Sequence, residues 1–343
     1  MSDILFERRG AAGLVTLNRP QALNALTHAM VAAMKAQLDD WAGDPEISCV
    51  VVRGAGERAF CAGGDVRAIA EFGRVGTGYA LDFWRDEYIL NAAIKHYPKP
   101  YAALMHGIAM GGGLGVSVHG DFRFADETSL FAMPETGIGF FPDVGGSYFL
   151  ARCPGEIGMY LALTGARLKA ADALYAGIAT HLVRAETRPI LMDALTQGEN
   201  PAELLSEIEV RPVPEAPLAK QRATIDNIFS LPAVEEILEA LEAEGNEWTA
   251  ATAATIRTKS PTSLKIAFRE LREGKLRSFD DCMRMEFRIA SRILAGHDFF
   301  EGVRAALVEK NNAPRWRPAS LGEVTDEVVN ACFAPLRESE LPL

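Results

Sequence analysis

Residues Met105–Gly120 read M-H-G-I-A-M-G-G-G-L-G-V-S-V-H-G, and an apolar, strand-like run, Tyr101–Met105, leads into them. Consecutive glycines are unfavourable in a helix interior because each loses backbone entropy, but they suit a place where the backbone approaches another group closely. A short buried helix that starts just after them would present unpaired N–H groups and a partial positive charge, which can stabilise an oxyanion. A tight strand-to-helix packing turn is the alternative, and this stretch by itself leaves both open.

The composition is that of a folded globular protein and excludes some classes of function. Of the 343 residues, 48% are hydrophobic and 24% are charged, which argues against global disorder. The net charge of −11 argues against a nucleic-acid-binding surface and against an anionic membrane patch. The five cysteines contain no CxxC pair, so neither a disulfide framework nor a zinc site is predicted.

The character of the first residues and the lengths of the apolar runs predict a cytoplasmic protein. The first ten residues, M-S-D-I-L-F-E-R-R-G, have no apolar signal core and do not resemble a transit peptide. No apolar run approaches the ~18 residues of a membrane-spanning helix.

The hydrophobic pattern changes near residue 185. Before it, short strands such as Ala12–Leu17 and Cys49–Arg53 alternate with amphipathic helices such as Thr27–Ala42, for which Thr27 is the expected N-cap. After it, a polar, proline-containing segment, Arg188–Ala219, precedes stretches of helical periodicity. We therefore expect residues 1–185 to form an α/β core of ββα units and residues 186–343 to form a helical C-terminal region.

A second glycine-rich loop and two acids extend the opening motif. Gly54–Val66 (G-A-G-E-R-A-F-C-A-G-G-D-V) follows a strand but contains neither a dinucleotide fingerprint nor a P-loop lysine. Glu135 and Asp143 lie eight residues apart among apolar neighbours, which would raise the pKa of each carboxyl group. Two loops of backbone donors with carboxyl groups suit a carbonyl oxygen that gains negative charge. The alternatives are a turn residue for Glu135 and an Asx-turn after Pro142 for Asp143.

Three motifs together resemble the crotonase (enoyl-CoA hydratase/isomerase) superfamily over nearly the full chain. They are F-C-A-G-G-D-V at Phe60–Val66, H-G-I-A-M-G-G-G-L-G at His106–Gly115 and F-A-M-P-E-T-G-I-G-F-F-P-D-V-G-G at Phe131–Gly146. The resemblance implies a spiral of ββα repeats followed by a C-terminal helical region. The tail, with S-P-T-S-L-K, M-R-M-E-F-R and G-H-D-F-F-E-G-V-R-A, is most similar to the 3-hydroxyisobutyryl-CoA hydrolase subfamily.

The resemblance implies a role for each site residue. The backbone N–H groups of Gly64 and Gly112 would form an oxyanion hole for an acyl-thioester carbonyl, Glu135 matches the catalytic glutamate and Asp143 matches the second acid of the hydrolases. Glu87 falls where the subfamily has a substrate-contacting glutamate, with a solvated helix face as the alternative. The adenosine end of coenzyme A would lie along the first glycine loop, near Ala62, Gly63 and Asp65.

One departure separates this chain from the hydratases. They carry a second glutamate two residues beyond the glycine triplet, where this chain has Gly115. Thioester hydrolysis, within valine breakdown, is therefore the implied activity, with Glu135 acting either as a general base or as a nucleophile. An isomerase or hydratase on the same scaffold and a non-catalytic acyl-CoA-binding protein are the alternatives. The resemblance implies no cofactor or metal beyond the coenzyme A of the substrate, and a homo-oligomer, trimeric or hexameric.

Other reactive residues receive structural interpretations. The six histidines form no triad with a G-x-S-x-G elbow, so a serine thioesterase is not predicted. His106 and His119 are interpreted as packing or capping residues and Cys61 as a small core residue. Arg19 is interpreted as a surface arginine, with contact to the phosphates of coenzyme A as the alternative.

Overall fold

The computed structural model describes residues 2–75, 78–197 and 208–343. The chain divides into two compact units that alternate along the sequence. The first comprises Met1–Asp65, Ile89–Ala132 and Arg167–Lys220, and the second comprises Val66–Tyr88, Met133–Ala166 and Gln221–Leu343. The composition of the sequence predicts a division at residue 185, into an α/β core and a helical region. That division stays a prediction.

Two sheets form the framework of the first unit. Their strands are β1 (Ile4–Arg9), β2 (Ala12–Leu17), β3 (Cys49–Gly54), β4 (Ala59–Cys61), β5 (Tyr101–Met105), β6 (Ile108–Met110), β7 (Phe122–Ala125), β8 (Leu130–Ala132), β9 (Leu168–Lys169) and β10 (His181–Leu182). One sheet has the order β1-β2-β3-β5-β7-β10 and the other the order β4-β6-β8-β9. Among the strand pairs that the structure describes, β1–β2 and β8–β9 are antiparallel and the others are parallel.

The described helices follow in chain order. They are α1 (His28–Gly43), α2 (Val66–Val75), α3 (Gly78–Lys95), α4 (Gly112–Gly115), α5 (Gly146–Phe149), α6 (Ile157–Thr164), α7 (Ala170–Tyr175), α8 (Arg188–Gln197), α9 (Arg222–Phe229), α10 (Val234–Glu244), α11 (Glu247–Arg257), α12 (Pro261–Gly274), α13 (Phe279–Ile293), α14 (Asp298–Val303) and α15 (Asp326–Phe333). Within the described ranges no helix is long and apolar enough to cross a membrane.

Local signals predicted many of these elements, but not all. The short helix was expected after the glycine triplet, whereas α4 begins at Gly112, and β4 lies inside the stretch Gly54–Val66 that was predicted as a loop. The N-cap prediction for α1 is confirmed, because the Thr27 hydroxyl accepts a hydrogen bond from the Met30 N–H at 3.3 Å. The polar segment expected after residue 185 instead begins with α8, whose Leu191 and Leu195 pack into the first unit's core. The rest of that expectation falls partly on residues 198–207, outside the described residues.

The parallel strands of the first unit position its glycine loops. Leu14, Val51 and Ala102 lie in the core beneath the larger sheet, in keeping with the apolar runs of strands buried by helices. In the smaller sheet β4 pairs with β6 in parallel, with Cys61 opposite Ala109. Since parallel strands end at the same edge of a sheet, the loops after β4 and β6 leave the sheet side by side.

The second unit is predominantly helical and buries acidic side chains. The N-termini of α12 and α13 are capped by Ser260 and Ser278, whose hydroxyls accept hydrogen bonds from the Ser263 and Asp281 N–H groups. Capping fixes where each helix starts and hence which face is buried. The buried face of α12 includes Glu270, and that of α13 includes Glu286.

Candidate active site

Gly64 presents a free backbone donor in the first unit. The Leu26 N–H donates to the Gly63 carbonyl at 2.8 Å, and the Asp65 N–H donates to the Leu26 carbonyl at 2.8 Å. A trans peptide points its C=O and N–H in opposite directions. The Gly64 N–H therefore points away from Leu26, and it has no hydrogen-bond acceptor among the described residues.

Gly112 presents a second donor in the same unit. It is the first residue of α4, whose N-cap, Gly111, has φ +50°. The Gly111 carbonyl accepts hydrogen bonds from the Leu114 and Gly115 N–H groups at 2.8 and 3.2 Å. The Gly112 N–H, at the other side of that peptide, points away from the helix and has no acceptor within the described ranges.

Close packing explains the glycines of these two loops. At Gly63, where φ is +106°, a Cβ atom would lie 3.1 Å from the Met110 carbonyl oxygen and 3.4 Å from the Gly112 nitrogen. At Gly113 it would lie 2.2 Å from the Cys61 carbonyl oxygen, which no side chain tolerates. The structure thus brings together the two loops that carry Gly64 and Gly112, and both interpretations of the opening motif describe it: it packs tightly and leaves donors free.

Hydrogen bonds from neighbouring residues hold the loop that carries Ala62, Gly63 and Asp65. The Ala62 N–H donates to the Leu23 carbonyl at 3.0 Å. The Arg19 guanidinium lies 3.1 Å from the Asp65 carboxylate and donates to the Ala25 carbonyl at 2.7 Å. Its side chain is only 17% exposed, so the interpretation of Arg19 as a plain surface arginine is wrong.

Three carboxyl groups predicted from the sequence are buried in the second unit. Glu87 on α3 is 2% exposed, Glu135 at the start of a 3-10 turn is 7% exposed, and Asp143 is 5% exposed. The solvated-face alternative for Glu87 is therefore excluded. Among the described residues, one carboxyl oxygen each of Glu87 and Glu135 is buried without a hydrogen-bond partner.

Burial controls the protonation of these groups. Desolvation, then the nearby charge of Asp143, raises the pKa of Glu87 and of Glu135 well above the usual glutamate value. Desolvation also raises the pKa of Asp143, to about 7, while the Tyr88 hydroxyl opposes that rise. Each of the three acids is therefore harder to ionise than an exposed carboxyl group, and the charge of Asp143 opposes ionisation of Glu87 and of Glu135.

Sequence reasoning missed Tyr88 as a site residue. Its hydroxyl donates to Asp143 Oδ2 at 2.8 Å, and both side chains are buried. The pair is 55 residues apart in the chain. A tyrosine next to Glu87 on a predicted helix carried no local signal of this contact.

Two further buried acids, Glu270 and Glu286, were also missed. Neither side chain is measurably exposed. Burial, together with the charges of Glu286, Asp143 and Glu135, raises the pKa of Glu270 well above its usual value. A signal existed in each case: a glutamate at a position where the helical period calls for an apolar residue.

The remaining candidates behave as structural groups. His106 Nε2 lies 2.7 Å from the Gly56 carbonyl oxygen, which matches its interpretation as a capping residue. Cys61 is fully buried, as expected of a small core residue. Across the described residues, no group of three or more histidine, cysteine, aspartate or glutamate side chains could hold a metal ion.

Comparisons with known proteins give a consistent family. The family model described as enoyl-CoA hydratase/isomerase matches residues 12–333. The chain is 48% identical to "3-hydroxyisobutyryl-CoA hydrolase, mitochondrial" of Danio rerio, covering all of this chain and 92% of the relative. The Homo sapiens protein of the same name is 45% identical, with 99% of this chain and 90% of the relative covered.

Solved structures confirm the predicted crotonase-like α/β fold. A structure described as a carnitinyl-CoA dehydratase from Mycobacterium thermoresistibile has a TM-score of 0.95 and 44% identity, covering 100% of this chain and 99% of that one. One described as an enoyl-CoA hydratase from Rhodobacter sphaeroides has a TM-score of 0.94 and 40% identity, covering all of both chains.

The cytoplasmic prediction is contradicted, because these curated relatives are named as mitochondrial proteins. The prediction rested on the character of residues 1–10 and on composition. The compartment is determined by a targeting signal that the folded body does not need, so the composition of the fold does not report it.

Proposed function

The chain belongs to the enoyl-CoA hydratase/isomerase family, and we propose that it is an acyl-CoA thioester hydrolase that converts 3-hydroxyisobutyryl-CoA and water to 3-hydroxyisobutyrate and coenzyme A. One observation carries the proposal: Glu135 and Asp143 are both buried in the second unit. The sequence agrees with it, because Gly115 leaves no carboxyl group where hydratases have their second glutamate. The names of relatives at 45–48% identity over nearly the whole chain support the same activity.

Gly64 and Gly112 have the role of stabilising charge on the thioester carbonyl oxygen. Both N–H groups lack acceptors among the described residues, so they can bind an oxyanion without first breaking a protein hydrogen bond. Each such donor, when removed, typically costs ~3 kcal/mol of the barrier. Ala62, Gly63 and Asp65 form the loop along which we place the adenosine end of coenzyme A.

Glu135 has the role of the group that acts on the carbonyl carbon. As a general base it takes a proton from water, whose oxygen adds to that carbon, and the C–S bond then breaks. As a nucleophile its carboxylate adds directly, coenzyme A leaves, and water hydrolyses the resulting anhydride. The leaving thiolate, with a thiol pKa of roughly 8.5, needs little acid assistance. Transfer of oxygen-18 from water into Glu135 in a single turnover distinguishes the second route from the first.

Asp143 and Glu87 have the role of recognising the acyl group. The Tyr88 hydroxyl occupies Asp143 Oδ2, and a carboxylate has further lone pairs that can accept a hydrogen bond from the substrate 3-hydroxyl. Burial and the charge of Asp143 raise the pKa of Glu87 and so favour its protonated form, which can donate a hydrogen bond. Together they favour an acyl chain that carries a hydroxyl group.

The second candidate is a hydratase, dehydratase or isomerase on the same scaffold. Two similar solved structures, described as a carnitinyl-CoA dehydratase and as an enoyl-CoA hydratase, favour it. Gly115 argues against hydration, because adding water across a double bond would lack its second carboxyl group. A non-catalytic acyl-CoA-binding protein is the third candidate.

Parallel assays of the purified chain separate these functions. The hydrolase releases a free thiol from 3-hydroxyisobutyryl-CoA and leaves the absorbance of crotonyl-CoA and of a dienoyl-CoA unchanged. A change in either absorbance without thiol release supports hydration or isomerisation instead. Binding of the thioester without any turnover supports the acyl-CoA-binding protein. The hydrolase proposal is rejected if the parent releases no thiol from 3-hydroxyisobutyryl-CoA, and the role of Glu135 is rejected if Glu135→Gln releases thiol as fast as the parent.

Further parts of the proposal concern context. We place the reaction in valine catabolism, with no cofactor or metal beyond the coenzyme A of the substrate. We also propose a homo-oligomer, trimeric or hexameric. Light scattering of the purified chain measures the oligomeric state, and retention of activity after dialysis against a chelator tests the absence of a metal.

A further inference from the structure

Glu286 on α13 holds the turn that follows Asp143. Its Oε2 accepts a hydrogen bond from the Gly145 N–H at 2.8 Å, and its Oε1 accepts one from the Ser147 N–H at 3.0 Å. The Ser147 hydroxyl donates to the same Oε1. The bonded residues are separated by 139 and 141 positions in the sequence. All of them lie within the second unit.

The turn held by Glu286 has a strained backbone. Val144, directly after Asp143, has φ +51°, a region that β-branched residues rarely adopt. Gly145 follows with φ +86°. Such a conformation costs free energy and persists only where the surroundings hold it. The two backbone N–H groups bound by Glu286 belong to Gly145, directly after the strained residue, and to Ser147, two residues further on.

The chemistry of the contacts requires an acceptor on both oxygens of residue 286. Two backbone N–H groups and one hydroxyl converge on the carboxyl group, and it has no measurable exposure to solvent. A carboxyl group can accept a hydrogen bond at each oxygen, whereas an amide offers one oxygen and one NH₂ donor. Burial raises the pKa of Glu286 to about 8, and the hydrogen bonds from Ser147 and from the Gly145 N–H group oppose that rise. A glutamine at 286 would place its NH₂ group against an N–H group.

We propose that Glu286 is a positioning residue: it fixes the orientation of Asp143 and thereby the selectivity for acyl chains that carry a 3-hydroxyl group. The inference rests on the proposed function, in which Asp143 accepts a hydrogen bond from that hydroxyl. Glu286 itself lies behind the turn, bound to its backbone and to Ser147, and acts through Asp143. Loss of Glu286 therefore affects the recognition of the hydroxyl more than it affects the attack on the thioester.

The test compares two substrates, 3-hydroxyisobutyryl-CoA and isobutyryl-CoA, which differ only in the hydroxyl group. In Glu286→Gln we expect the ratio of their kcat/KM values to fall about 10-fold, the size of one lost hydrogen bond. Hydrolysis of isobutyryl-CoA should change much less. Ile293→Ala, about two turns further along the same buried helix, is the control for general loss of packing. It should leave the ratio unchanged.

The outcomes separate this inference from the proposed function. A parent enzyme that hydrolyses neither thioester overturns the proposed function, and the inference falls with it. A parent that hydrolyses 3-hydroxyisobutyryl-CoA selectively, with Glu286→Gln retaining that selectivity, overturns the inference alone. If Glu286→Gln is not recovered folded, Ser147→Ala takes its place. It removes one of three donors from Glu286, so the ratio should fall by a smaller factor, and an unchanged ratio overturns the inference.

Discussion

The phenolic hydroxyl of Tyr88 donates a hydrogen bond to Asp143 Oδ2 across 2.8 Å in the buried interior of the second unit. Desolvation favours the protonated form of Asp143, and the tyrosine favours the ionised form, with the result that its pKa is raised only to about 7. Near neutral pH Asp143 therefore changes between its ionised and its protonated form. As a carboxylate it can accept a hydrogen bond from a substrate hydroxyl, and as an acid it can donate one.

Removing the Tyr88 hydroxyl should shift the pH dependence of the reaction. In Tyr88→Phe the ionised form of Asp143 loses a stabilising donor, so its pKa rises further. A hydrogen bond to a charged group is worth roughly 1.5–3 kcal/mol, which corresponds to about one to two pH units. The ascending limb of log kcat/KM for 3-hydroxyisobutyryl-CoA should move to higher pH by at least one unit, as measured by thiol release.

Tyr97→Phe is the matched control for that experiment. The Tyr97 hydroxyl donates to the Leu38 carbonyl at 2.9 Å in the first unit, so its loss removes a hydrogen bond without altering Asp143. We expect its pH profile to follow the parent. A Tyr88→Phe profile that also follows the parent would show that Asp143 does not titrate in the active range.

Replacing Glu135 should abolish most of the activity while preserving the fold. Glu135→Gln keeps the size of the side chain but removes the group that acts as base or nucleophile, and such groups typically contribute about 10²–10⁴-fold to the rate. We expect kcat to fall by that factor, measured by thiol release, with little change in circular dichroism. Glu127→Gln, at an exposed position, is the control and should retain parental kcat. Comparable kcat values for the two variants would exclude Glu135 from the chemical step.

The sequence predicted the backbone framework of the site better than its side-chain contacts. The strand Tyr101–Met105 matches β5 residue for residue, because an apolar run ended by a turn is a local signal. The glycines after it were identified because three in succession conflict with an ordinary helix. The burial of Glu87 could not be decided, since a single turn of helix allows either a solvated or a buried face.

Local sequence patterns do not predict contacts between residues that are far apart in the chain. Nothing near Tyr88 indicates that Asp143 lies opposite it, and nothing near Glu286 indicates that it binds Gly145 and Ser147. These contacts depend on how α3 and α13 pack within the second unit, which periodicity does not specify. An acid on an otherwise apolar helical face does mark a residue that needs a special partner.

The packing of the two glycine loops leads to a further prediction. In Gly113→Ala the new Cβ would lie 2.2 Å from the Cys61 carbonyl oxygen, so the loops after β4 and β6 must move apart. Because each loop carries one of the proposed oxyanion donors, we expect kcat/KM to fall about 10²–10³-fold, the effect of losing one donor. Gly43→Ala is the control, since a Cβ there meets nothing within 4 Å. Parental kcat/KM in a folded Gly113→Ala variant would argue against an oxyanion hole built from these loops.

The buried carboxyl group of Glu270 should make the stability of the protein depend on pH. Among the described residues neither of its oxygens has a hydrogen-bond partner. Burial, followed by the charges of Glu286, Asp143 and Glu135, raises its pKa well above the usual value. In the unfolded chain the proton leaves near pH 4.3. Between the unfolded and folded pKa values the folded state binds more protons, so the free energy of unfolding falls as pH rises through that window.

Glu270→Gln cannot ionise and therefore escapes this loss. The difference in free energy of unfolding, variant minus parent, should increase as pH is raised from about 4 to about 8 in urea titrations. Glu273→Gln, on the same helix, should give the opposite slope, and in a lower window, below about pH 4.3. Its partial burial, which raises the pKa, is outweighed by hydrogen bonds from Arg269 and Arg277, which lower it. The parent gains stability as pH rises from the lowered pKa of Glu273 to the unfolded value near 4.3, and the variant lacks that gain. A difference for Glu270→Gln that does not vary with pH would mean that Glu270 keeps the same protonation in both states.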